Sequence, residues 1–203
     1  MKYNLLPFLV LLFLTLFTYS QNEAPVSSDS GAYVIVNYSP YSCCVDLGSF
    51  LRVYDVTSNT VIEEIQTQSG ELKEWDNAKI DSVNVKVRDL MKARRYSKMI
   101  VIDKKNSIVK KHSSDTILSI TISFEEKKYV STLFEIDKIK YANNYCCSGL
   151  IEEGFSCEIN PSIMNIWMDT AKSLFLIEYG TIQEADGCDR GPFFKTIEIQ
   201  EVK

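Results

Sequence analysis

Six cysteines give the chain its most chemically distinctive spacing: two adjacent pairs, Cys43-Cys44 and Cys146-Cys147, followed by Cys157 and Cys188. Thiols can form disulfides, ligate a metal or run redox exchange, and spacing separates these roles. Zinc sites favour C-x2-C-like spacings, commonly with histidine, whereas these cysteines are adjacent and His112 is the one histidine. The C-x-x-C spacing of thioredoxin-like exchange is also missing. Structural disulfides are therefore the leading reading, with thiol redox or metal handling behind it. Neighbouring side chains on extended backbone point to opposite faces, so a bond within a vicinal pair strains the peptide between them. The preferred arrangement joins one member of the first pair to one of the second. That link closes a loop of about 100 residues, for which loop entropy gives about 4–5 kcal/mol before strain. Cys157 and Cys188 then pair together or take the remaining vicinal partners.

Other reactive types are weaker candidates. Lys110-Lys111-His112-Ser113-Ser114-Asp115 sets Ser, His and Asp side by side, but a catalytic triad is defined by geometry rather than adjacency. The chain has no Gly-x-Ser-x-Gly nucleophile elbow. Acidic pairs occur at Glu63-Glu64, Glu125-Glu126 and Glu152-Glu153. A glycosidase needs two carboxylates facing one cleft, so a secreted carboxylate-dependent hydrolase is the runner-up. Asp186-Gly187-Cys188-Asp189-Arg190-Gly191 is the most loop-like cluster. It lacks the spacing of a calcium hand loop and reads as a pinned turn that presents Asp186, Asp189 and Arg190 as a candidate binding loop. Asn37-Tyr38-Ser39 is the one glycosylation acceptor, relevant only in a host that glycosylates. Trp167 lies in an apolar run and reads as core, and Trp75 in a polar stretch reads as surface. No catalytic residue, metal ligand or cofactor site is assigned.

The beginning of the chain bears on which chemistry survives. Lys2 precedes an apolar run from Leu5 to Phe17, and Thr18-Tyr19-Ser20 ends it. This is the layout of a secretory signal peptide over residues 1–20, cut before Gln21. The apolar run is shorter than the roughly 20 residues a bilayer span requires. Export to a secreted or periplasmic location agrees with disulfides, which oxidising compartments preserve. A net charge of -5 lacks the basic footprint of a nucleic-acid binder. The expected partner is an unknown protein or small ligand, without stable membrane insertion once the signal is removed.

Residues 21–31 read as a flexible lead and 32–203 as a single disulfide-stapled domain. Ala32–Tyr38 has strand composition. Phe50–Val56 and Thr60–Gln66 flank Thr57-Ser58-Asn59 as a hairpin. Met99–Asp103 and Ser107–Lys111 repeat that plan around Lys104-Lys105-Asn106. In Ile117–Phe124, apolar Leu118, Ile120, Ile122 and Phe124 alternate with polar residues, the period of a half-buried strand, and Glu125–Lys128 turns it back into Tyr129–Ile136. Ile163–Asp169 and Ser173–Ile182 form a further hairpin, and Phe193–Val202 closes the chain. Apolar residues at helical spacing predict a helix over roughly 80–97 with Asp81 as its cap, and the alternation of Val83, Val85 and Val87 leaves a strand at 82–87 as the rival. About ten short strands and one helix make a mainly β fold, an antiparallel sandwich or barrel, with α+β as the alternative. Leu51–Val56 with Thr57-Ser58-Asn59 resembles the hairpin inside a propeller blade. Asp55 and Asp103 sit in similar settings, but a third unit at that spacing meets no strand pattern, and so few blades do not close a ring.

Overall fold

The computed structural model describes residues 24–40, 47–70, 74–137, 161–180 and 191–202. Among the described residues the fold is mainly antiparallel β with one α-helix, as the periodicities predict. One five-stranded sheet contains β1 (Val26–Ser28), β2 (Tyr33–Tyr38), β3 (Ser49–Asp55), β4 (Thr60–Gln68) and β5 (Tyr96–Lys98), in the order β4-β3-β2-β1-β5. Helix α1 (Asn77–Arg94) packs on it. The second, eight-stranded sheet contains β6 (Ile100–Val101), β7 (Ser107–Lys111), β8 (Ile117–Phe124), β9 (Lys127–Ser131), β10 (Phe134–Glu135), β11 (Ser162–Asp169), β12 (Leu174–Gly180) and β13 (Phe193–Val202). It curls into a half-barrel.

Three apolar layers hold these elements, and residue alternation assigns each side chain to a layer. Ile35, Leu51, Val53, Val83 and Leu90 pack between α1 and the first sheet. Val34, Val36, Leu174, Leu176 and Phe194 pack between the two sheets. Phe175, Ile177, Tyr179, Ile120 and Ile122 fill the half-barrel. The continuous runs Val34-Ile35-Val36 and Leu174-Phe175-Leu176-Ile177 thus mark strands covered on both faces. β8 is covered on one face and keeps its alternation, with Leu118, Ile120 and Ile122 buried between more exposed neighbours.

Local chemistry explains the boundaries. The helix begins three residues before the predicted start because Asp76, not Asp81, is the cap: its Oδ1 accepts from the Lys79 N–H at 2.8 Å. Asn59, with φ of +55°, closes the β3–β4 turn and its Oδ1 accepts from the Thr196 N–H at 2.6 Å, fastening that hairpin to β13. Glu125 and Glu126 both take positive φ, 49° and 62°, between the paired Phe124 and Lys127. That is a two-residue hairpin turn normally given to Asn-Gly.

Two expectations are corrected. Part of the lead, Val26–Ser28, is the buried strand β1, paired with both β2 and β5. Its serines read as linker composition, yet their hydroxyls find partners inside the fold. The Met99–Asp103/Ser107–Lys111 hairpin does not form. Lys104–Asn106 makes a 3-10 turn capped by Asp103, so β6 pairs with β11 and β7 with β8. Local pairing is the more frequent outcome, and here the diverging turn overrides it.

Candidate ligand cleft

The two sheets part at one end and leave a cleft of about 540 Å3, within the size range of small-molecule sites, about 300–1,000 Å3. The first sheet contributes Val36 and Asn37 from β2 and the second contributes Val101, Trp167, Glu178 and Phe194. The cleft continues the inter-sheet core outward. Trp167 and Phe194 stand with ring centroids 6.5 Å apart, and Tyr54 backs Phe194 at 6.1 Å. Val101 is 62% exposed beside them. Trp167 and Glu178 share a face because β11 and β12 pair Trp167 with Leu176 and Asn165 with Glu178. The Asn165 side-chain amide donates to Glu178 Oε2 at 2.7 Å, which orients that carboxylate. An aromatic wall with a fixed carboxylate and an amide can seat a ligand that has one apolar face and hydrogen-bond donors.

Away from the cleft, a buried polar cluster joins the sheets. Lys172 Nζ donates to Asp169 Oδ2 at 2.8 Å, to Ser27 Oγ at 3.0 Å and to Ser97 Oγ at 2.8 Å. Ser27 Oγ in turn donates to Asp169. Burial pushes the Asp169 carboxyl up, but the hydrogen bonds from Lys172 and Ser27 and the nearby ammonium charge outweigh it and hold the carboxyl below its ordinary value. A serine–lysine nucleophile needs an amine free to accept a proton and a reachable hydroxyl. Here the ammonium is donating to a carboxylate and Ser27 is fully buried. The cluster is a fastener.

The other sequence candidates do not converge. His112 is exposed and its Nε2 lies 2.8 Å from Ser119 Oγ, while Asp115 pairs with Lys111 at 3.0 Å. Glu64 pairs with Arg52 at 2.5 Å, and the Arg52 guanidinium lies over the Tyr38 ring. Glu125-Glu126 forms the turn already described. Among the described residues the carboxyls with resolved shifts are lowered: Asp55 by Ser58 and Asp103 by Lys105, through turn hydrogen bonds, and Asp169 as above. A general acid requires the opposite shift. Among the described residues no group of three His, Cys, Asp or Glu could hold a metal ion. Cys43, Cys44, Cys146, Cys147, Cys157, Cys188, Asp186, Asp189, Arg190 and Glu152-Glu153 lie outside the described residues, as does the signal segment.

Trp167 packs on a core layer as expected, whereas Trp75 is not a free surface residue. Trp75 is half-buried against the α1 core, while Trp167 packs on the inter-sheet core and also lines the cleft. The Asn165-Ile166-Trp167-Met168 alternation held this signal: Ile166 and Met168 point into the half-barrel, so Trp167 faces the other way. Comparison of the chain with protein-family models, with curated proteins and with solved structures finds no match.

Proposed function

We propose that this is an exported, non-catalytic β-rich protein that binds a partner or ligand in the cleft between its sheets, on a scaffold stapled by its cysteines. The observation that carries the reading is the Trp167–Phe194 wall, set beside an oriented Glu178 and across from Asn37. Large aromatic side chains left beside an open cleft supply binding area at low conformational cost. Among the described residues Glu178 is the one carboxylate lining the cleft, whereas carboxylate hydrolysis needs two.

Fluorescence tests the site directly, because the chain has only two tryptophans. In a Trp75→Phe background, neutral oligosaccharides and organic amines are titrated against Trp167 emission. A saturable shift is expected from at least one of these classes, and Trp167→Ala is expected to weaken that ligand about tenfold or more, in the range of a lost aromatic anchor. Glu178→Gln then separates the classes, weakening amines and sparing neutral sugars. No saturable shift across both panels would remove the cleft from consideration.

The scaffold has its own measurement. Thiol titration of denatured, unreduced protein is expected to find close to no free cysteine. A free vicinal pair would favour thiol exchange instead.

A further inference from the structure

A second opening lies between β11 and β7, and it does not depend on the cleft. Among the described residues β7 pairs with β8 alone. It covers β8 from Leu118 to Ile122, so β10, which also meets Leu118, lies on the opposite edge in line with β9. Among the described residues β7 therefore ends the sheet. Between it and β11 is a gap of about 200 Å3, lined by Ser107 and Val109 on one side and on the other by Ile163, Met164 and Ile166, with Ile102 bonded to Ile166 through its N–H at 2.9 Å.

The backbone of β7 faces this gap with bonding groups to spare. The His112 N–H donates to Ile117 O at 2.9 Å. Antiparallel ladders bond at alternate residues, so Lys110 and Ile108 bond to β8 and the main-chain groups of Val109 and Lys111 face outward. Val109 shares the face of its partner Ile120, which is fully buried in the half-barrel. Val109 is nonetheless 40% exposed, and Ile108 on the outer face is 69% exposed. Four lysines, Lys104, Lys105, Lys110 and Lys111, border the edge of this otherwise acidic chain. Lys105 and Lys111 have carboxylate partners, Asp103 and Asp115. Lys104 and Lys110 have no ion pair among the described residues.

We propose that the β7 edge is a strand-addition site for an extended acidic segment of another protein. Backbone groups supply affinity in such additions, and alternate side chains supply specificity. Residues of the incoming strand that face the half-barrel would be apolar, to cover Val109 and Ile163. Those facing outward would be acidic, beside Lys110. A second copy of the chain fits poorly, because antiparallel β7 strands would bring two lysine clusters together. Lysines on an edge also deter aggregation, but a guarded edge gains nothing from exposing Ile108 and Val109.

The test uses the full chain and two labelled eight-residue peptides, one alternating valine with glutamate and one alternating valine with lysine. By fluorescence anisotropy the glutamate peptide is expected to bind about tenfold tighter, with the preference fading as salt rises. Amide exchange at Val109 and Lys111 is expected to be fast in the free protein and slowed by that peptide, with Ile108 and Lys110 protected throughout. Val109→Pro removes an outward N–H without breaking the β8 ladder, and is expected to abolish binding. Should that variant fail to fold by circular dichroism, Lys110→Glu carries the test, with the glutamate preference expected to vanish. Equal binding of both peptides, or no binding up to about 1 mM, would overturn the proposal. So would slow exchange at Val109 and Lys111 in the free protein, which would mean that the edge is already covered by this chain or by a second copy.

Discussion

Asp169→Ala is expected to destabilise the protein by about 3 kcal/mol, read from urea unfolding, because it strips the partner from a buried ammonium. The Lys172 side chain is 13% exposed and that of Asp169 9%. Their bonds reach Ser27 on β1 and Ser97 on β5, so one carboxylate holds the end of β11 against two strands of the other sheet. Removing it leaves the ammonium and the Ser27 hydroxyl without their shared acceptor. Lys172→Met is expected to cost less, since Asp169 keeps the Ser27 hydroxyl as a donor and a methionine fills the volume of the lysine stem. A double-mutant cycle between the two positions is expected to return coupling of about 1 kcal/mol or more. The same pair sets an acid limit. The folded carboxyl titrates below its ordinary value, while in the unfolded chain it returns to about 3.9. The folded state thus binds fewer protons in that interval, so the stabilisation is complete above the unfolded value and drains away as pH falls through the folded one. Wild-type stability is expected to drop through that acidic window, and Asp169→Asn is expected to flatten the drop. Coupling near zero, with an unchanged acid profile, would mean that the contact is only geometric.

How far the sequence discloses this arrangement depends on how local each determinant is. The alternation of Leu118, Ile120 and Ile122 fixes β8, and the apolar spacing of Val83, Val87 and Leu90 fixes α1, because each pattern is written within one element. The polar cluster is not local: Ser27 and Asp169 are 142 positions apart, and nothing near Ser27 in the chain says that its hydroxyl has a carboxylate to reach. For the same reason Val26–Ser28 reads as part of a lead although it is an interior strand. The cleft was half legible. The alternation in β11 separates Trp167 from Ile166 and Met168, but the sequence does not say that the layer it faces ends in an opening. The gap beside β7 is not legible in the sequence, because strand composition on both sides of Lys104–Asn106 predicts a hairpin, and a hairpin closes the very edge that the 3-10 turn leaves open.

Phe175→Ala and Leu176→Ala are expected to cost about 4 and about 3 kcal/mol, the range for large apolar side chains removed from packed cores. Both residues are fully buried, yet they are adjacent in β12 and enter different layers, Phe175 the half-barrel and Leu176 the space between the sheets. Each truncation therefore tests whether β12 is a wall common to the whole molecule. The two tryptophans report the two sides: Trp75 sits against the α1 core and Trp167 on the inter-sheet layer. In single-tryptophan backgrounds, Phe175→Ala is expected to lower the urea midpoint seen by Trp75 as much as that seen by Trp167, although Phe175 belongs to neither of their layers. Shared strands transmit the loss: β1 is tied to Asp169 and Lys172, and Asn59 of the β3–β4 turn is tied to Thr196. Coincident midpoints mean one cooperative unit. A Trp75 transition that stays put while the Trp167 transition moves would instead divide the chain into a helix-and-sheet unit and a half-barrel, with the cleft at the boundary between two bodies that open separately.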